Sequence, residues 1–193
     1  MIDEKKLVEQ YVRARLRRWQ GEKNEHLLRA ELASLRRGIG RRPGELPELW
    51  GLLLGELPEE LMSRTGEPTY AEWAVSGALT LYALHSQGAR EAHADGQSLG
   101  RALYILACDD RLEAVQRRFS AFATARSMPE CMHHLRGLVS QLRSAEIPLD
   151  YVRLAGDLYE FQTHDGAARV RLRWGQDFYR DMNKDGKDDN NEQ

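Results

Sequence analysis

The sequence predicts an all-α protein of two helical lobes, the second arranged like a four-helix bundle. Apolar residues recur at helical spacing in segment after segment, and capping residues stand directly before most of those segments. Period-2 alternation, the mark of a half-buried strand, occurs in one short stretch. At 193 residues the chain can bury a substantial core, and 30% charged against 41% hydrophobic residues is the balance of a soluble globular protein.

Asp3 caps a first helix whose inward face is Leu7, Val8, Tyr11, Val12, Leu16 and Trp19, and Gly21 ends it. Asn24 caps a second, with Leu27, Leu28, Leu32 and Leu35 inward. Gly38, just past that run, predicts a left-handed closing turn, and Pro47 suits the first turn of a short apolar helix carrying Leu46, Leu49, Trp50, Leu53, Leu54 and Leu57. Thr69 and Glu72 form a capping box before a helix that is apolar nearly all round and is therefore expected to be buried. Residues 87–97 are polar and mark the expected boundary between an N-terminal lobe, 1–96, and a C-terminal bundle, 97–182.

In the second lobe Ser98 caps one helix, Asp109 or Asp110 starts the next, Ser127 with Glu130 makes a second capping box, and Pro148 opens a further helix. The stretch from 169 onward reads two ways. Val170, Leu172 and Trp174 alternate like a strand, whereas Val170, Trp174 and Phe178 are spaced like a helix; with no partner strand in the sequence, helix is the assignment. Residues 183–193 are expected to form an acidic, disordered tail.

Residues 34–50 hold Arg36, Arg37, Arg41 and Arg42 around two glycines, which reads as helix, basic loop, helix. Guanidinium groups at a helix end can fork onto phosphate oxygens; the same groups could equally be solvated and paired with nearby glutamates. The net charge of −2 conceals an asymmetry, because residues 181–193 carry five acids against two lysines. The remainder is left slightly basic, and its cations are arginines apart from Lys5, Lys6 and Lys23.

Other chemistries find little support in the residues. Cys108 and Cys131 are too few for a disulfide framework and read as buried free thiols. Cys131 with His133 and His134 lacks a second ligand pair, so neither a metal nor another cofactor is expected. There is no phosphate-binding glycine loop after a strand and no nucleophile elbow, and adjacent carboxylates such as Glu59 and Glu60 are better explained as caps, so the chain is expected not to be an enzyme. Asp181, Asn183, Asp185, Gly186 and Glu192 fit a calcium-loop pattern, but Asp188 occupies the position of its apolar anchor, which favours the tail reading. The first residues lack the apolar core of a signal peptide and no window approaches ~18 apolar residues, so a cytoplasmic protein without membrane contact is expected.

Three stretches stand in order: LRRGIGRRPGELPELW at 35–50, SLGRAL at 98–103 and RVRLRWGQDFYR at 169–180. Their combination resembles the CasB family, the small subunit of the type I-E CRISPR surveillance complex Cascade. The resemblance implies a two-lobed, all-helical, non-catalytic protein that pairs head to tail with a second copy and contacts other Cascade subunits. It also implies support of the guide RNA–target DNA heteroduplex and of the displaced DNA strand. In such complexes base pairing carries the specificity and protein supplies a positive track for the backbone. The implied nucleic-acid-binding residues inside the motifs are Arg36, Arg37, Arg101, Arg169, Arg171 and Arg173. Arg41 and Arg42 of the basic loop join them, with Arg117, Arg118, Arg136 and Arg143 between the motifs. The rival reading is a helical protein–protein adaptor, anchored by Trp and Tyr, whose arginines serve solubility. The convergence of the arginines on one face would separate the two.

Overall fold

The computed structural model describes the backbone of residues 3–108 and 111–188, and side chains as far as residue 180. Among the described residues every regular element is helical. These are α1 (Glu4–Gly21), α2 (Glu25–Arg37), α3 (Trp50–Leu53), α4 (Tyr70–His85), α5 (Leu99–Ala107), α6 (Leu112–Ala123), α7 (Met128–Ser144), α8 (Tyr151–Phe161) and α9 (Gly166–Asp188). Single 3-10 turns occupy Pro47–Leu49 and Glu59–Leu61.

The helix starts follow from side chains that satisfy otherwise orphaned amides. Asp3 accepts from the Lys6 N–H at 3.1 Å, Asn24 from Leu27 at 3.1 Å and Ser98 from Arg101 at 3.3 Å. Thr69 accepts from the Glu72 amide while Glu72 accepts from that of Thr69, at 3.1 and 2.7 Å. Ser127 also caps, but its box is displaced: Glu130 reaches back to the amide of Arg126, one residue before the cap.

α4 is buried around almost its whole circumference and is the centre of the packing. It lies against α8, α2, α7 and α1, while α1 packs on α8, α5 on α9 and α6, and α6 on α7. Helices from both sides of the 87–97 stretch thus share one continuous core. α5 approaches α9 so closely that a Cβ at Gly100 would overlap the Trp174 carbonyl and sit 3.0 Å from the Phe178 nitrogen.

Several local expectations are corrected. Gly38 is right-handed (φ −81°, ψ −3°); glycine is needed because a Cβ there would lie 2.6 Å from Leu49 Cδ1, and the left-handed residues of the loop are Gly40 and Gly44. The apolar segment after Pro47 is one 3-10 turn and one α turn, since Gly51 and Gly55 propagate helix poorly. Leu27 points to solvent. Pro148 precedes α8 by three residues, because the Asp150 side chain supplies the cap for the Arg153 amide at 2.9 Å. Cys108 is exposed, lying just past the last residue of α5. The expected helix start at Asp109 or Asp110 lies outside the described residues.

The ambiguous C-terminal stretch is helix: Val170, Trp174 and Phe178 are fully buried while Leu172 faces solvent. α9 continues to Asp188, so the first part of the calcium-loop pattern and of the expected tail has helical backbone in place of a loop. Residues 189–193 lie outside the described residues. Among the described residues no helix is long and apolar enough to cross a membrane.

Candidate nucleic-acid interface

The basic loop grows out of the last turn of α2, where Arg36 and Arg37 complement the negative end of the helix dipole. The Arg36 guanidinium donates to the Ala83 carbonyl at 3.3 Å. Arg37 lies 3.8 Å from Glu48, Arg41 3.0 Å from Glu45 and Arg42 2.6 Å from Glu67. All three pairs are exposed, a setting in which an ion pair is worth only ~0–1 kcal/mol. These guanidinium groups can therefore exchange a carboxylate for a phosphate at little cost to the fold.

Arg143 donates to the Gln87 side chain at 3.1 Å, just past the end of α4, so Arg36 and Arg143 meet the same helix end from α2 and α7. Arg136, seven residues before Arg143, lies on the same stripe of α7, is exposed, and has no side-chain partner among the described residues. Below this surface His85 is fully buried, its Nδ1 2.9 Å from the Tyr151 hydroxyl and its Nε2 without a hydrogen bond of good geometry among the described residues. Burial first, and the charge of Arg143 second, push its pKa down to about 4, so it stays neutral.

The arginines of the third motif are turned against the protein. Arg173 donates to Asp157 and Glu160, both at 2.8 Å, and Arg169 to Glu160 at 2.9 Å. Asp157, its side chain 4% exposed, also accepts from the Trp174 indole at 2.8 Å. Burial would raise the pKa of Glu160, but hydrogen bonds from Arg173, Lys5 and Arg169 outweigh it and hold it at about 2. Arg171 points to the other side of α9, donating through Nε to the Ala123 carbonyl at the end of α6, with its guanidinium 5.4 Å from the Phe161 ring centre. On the remaining helices Arg101, Arg117 and Arg118 are exposed, and the last two carry no hydrogen bond or ion pair among the described residues.

Direct contacts thus gather Arg36 and Arg143 at one end of α4, with Arg136 on the adjoining stripe, and Arg169 with Arg173 on Glu160. They do not bring all the nominated arginines into one cluster. Sequence reasoning missed the acidic partners on α8, since Asp157 and Glu160 carry no motif and meet residues 17 and 9 positions away across a turn. It also missed Arg15, buried against the Tyr11 hydroxyl at 3.1 Å.

His93, Asp95 and Asp150 place ligand atoms within 4.8 Å of one another. Structural bonds account for that proximity: Asp150 accepts from the Gly96 and Arg153 amides, His93 Nδ1 meets the Tyr151 amide, and Asp95 pairs with Arg13. Cys131 is buried, and burial pushes its thiol up to about 12, while His133 and His134 stack edge to face at 5.4 Å.

Residues 31–179 match the family described as CRISPR-associated protein Cse2. No curated protein matches the chain. Among solved structures, CasB from Thermobifida fusca is 34% identical, the match covering 92% of this chain and 98% of that one with a TM-score of 0.70. CasB from Thermus thermophilus is 26% identical, covering 93% and 99% with a TM-score of 0.67. M. ruber CasB shares the fold at 22% identity, covering 91% and 96% with a TM-score of 0.69. With the family match running through most of the helices, and a relative one-third identical along nearly its whole length, this protein belongs to the Cse2 (CasB) family of CRISPR-associated proteins.

Proposed function

We propose that the chain is the non-catalytic small subunit of the type I-E CRISPR complex Cascade. In this reading it binds nucleic-acid backbone, stabilising the guide RNA–target DNA heteroduplex and the displaced strand. The observation that carries the reading is a set of exposed guanidinium groups, on Arg117, Arg118 and Arg136, that no carboxylate of the described chain neutralises. Such groups are open to an anion from outside, and each phosphate they meet releases counterions. Arg36 and Arg143 offer a second group at the end of α4, Arg101 is a further exposed guanidinium on α5, and Arg37, Arg41 and Arg42 contribute by exchanging exposed carboxylates for phosphates. Arg169 and Arg173 serve by holding α9 on α8. Other Cascade subunits, a second copy of the chain, guide RNA and target DNA are the partners.

The test is charge reversal of Arg117, Arg118 and Arg136 to Glu, singly and together, in the assembled complex. Binding to target duplex is expected to weaken similarly across sequences, and the slope of log K against log salt to shrink by roughly one per lost contact. The deficit should be larger on double-stranded than on single-stranded targets, where no strand is displaced. Unchanged affinity and slope in the triple variant would remove these residues from the interface. Loss of assembly, with the slope of the remaining complex intact, would support the adaptor reading.

A further inference from the structure

A cleft of about 460 Å³ opens where the start of α4, the α6–α7 turn, the end of α8 and the start of α9 meet. Its size falls in the range of about 300–1,000 Å³ typical of small-ligand sites, and the spaces between packed helices are among the places where such sites recur. Phe161 and Met128 make an apolar floor. On its rim Tyr70 is 50% exposed and is steadied edge-on by Tyr159, with ring centres 6.4 Å apart. Two cations flank the opening. The Arg126 side chain has no partner among the described residues, and its backbone N–H alone is engaged, by Glu130. Arg171 is held through Nε by the Ala123 carbonyl and lies over Phe161, which leaves its two Nη groups directed by the fold yet without a bonded partner among the described residues. Among the described residues no carboxylate lines the cleft.

An exposed ring with two uncompensated guanidinium groups is complementary to a ligand that has a flat π face and a negative charge a short distance away. A base within a duplex has both faces covered, whereas an unpaired base can lie on an aromatic side chain. We infer that this cleft seats one unpaired nucleotide of a single strand, its base on Tyr70 and its phosphate between Arg126 and Arg171. Gln162 spends its Nε2 on the Tyr70 and Leu158 carbonyls, so its Oε1 is the acceptor offered to the base edge. The inference rests on the backbone-binding reading above and locates a site within it that none of the three motifs contains in full.

The test measures anisotropy of labelled oligo-dT and oligo-U on the full chain at low salt, with a duplex of equal length as control. Tyr70→Ala should weaken single-strand binding roughly 5- to 150-fold and leave the duplex unaffected, the loss expected for one stacked base. Tyr70→Phe should bind like wild type, and Arg126→Glu should weaken binding and flatten its salt dependence. An oligonucleotide carrying 5-iodouracil should crosslink to Tyr70. Whichever of oligo-dT and oligo-U suffers the larger loss identifies the strand. If the wild type binds and crosslinks elsewhere while Tyr70→Ala binds equally well, the cleft is not the site and the backbone-binding reading stands. If the wild type neither binds nor crosslinks, the cleft is not the site, and the charge reversals in the assembled complex decide the backbone-binding reading separately. Equal losses for Tyr70→Ala and Tyr70→Phe would assign the effect to the hydroxyl and overturn the stacking. Variants that bind oligonucleotides normally but no longer associate with a second copy would make the cleft a protein-docking surface instead.

Discussion

Replacing Arg173 by Met separates two jobs an arginine at this position could have, holding α9 or touching phosphate. The change keeps a long unbranched side chain and removes the cation. Asp157 would then lose its partner at 2.8 Å and keep the Trp174 indole, while Glu160 would keep Lys5 at 2.8 Å and Arg169 at 2.9 Å. Removing one member of a buried pair costs ~3–5 kcal/mol, because a charge is left uncompensated. Here the Asp157 side chain is 4% exposed but that of Arg173 is 32% exposed, so water screens one end, and the low end of the range, ~3 kcal/mol, is expected. With urea slopes of about 1–3 kcal/mol/M, the midpoint should fall by roughly 1–3 M. A cycle with Asp157→Asn separates the pair from side effects, since the double variant holds no unpaired charge and should recover part of the loss. Stability within ~0.5 kcal/mol of wild type, together with a reduced salt slope of the complex, would refute the structural role and return Arg173 to the interface.

Gly100→Ala should cost about 1–3 kcal/mol or more, because its Cβ meets backbone of α9 that cannot move aside without separating two helices; a urea titration reads it, and a neutral result would mean that the α5–α9 contact is looser than described. Stability should fall with acid in two windows. The folded-state pKa of His85, about 4, lies below its ordinary 6.5, so the stability it confers is complete above about 6.5 and is lost as pH falls toward 4. Glu160, at about 2 against 4.5, gives a second loss from about 4.5 downward, on the order of 1–3 kcal/mol. Urea midpoints at pH 7, 5 and 3 should decline in that order, His85→Gln should remove the first decline, and a flat profile from pH 7 to 5 would contradict a buried neutral His85.

Local chemistry made most helices legible. Asp3, Asn24, Thr69 and Ser98 each cap where their side chains can reach a free amide, and the burial of Val170, Trp174 and Phe178 follows from their spacing. The misses share a cause. Whether Gly38 serves a left-handed turn or a close contact depends on Leu49, and whether Arg173 faces solvent or α8 depends on Asp157. Neither dependence is written in the residue itself. The nominated arginines were visible as a class because charge needs no partner to be noticed. Their sorting into paired and unpaired groups required the carboxylates of α8 and of the loop to be placed. The cleft at Tyr70 draws its lining from four separated segments and so left no mark on any one of them.

The central position of α4 bears on how the chain comes to be folded at all. α1 rests its apolar side on α4 and α8, and Lys5 and Glu4 bond to Glu160 and Tyr159, each 155 positions later. During synthesis at about 5–20 residues per second, the first four helices must therefore wait some seconds with the α8-facing sides of α1 and α4 uncovered. Contacts of such sequence separation close late and slowly. The nascent N-terminal half is a natural client for a holding chaperone, and a chain stopped at residue 97 should aggregate rather than fold.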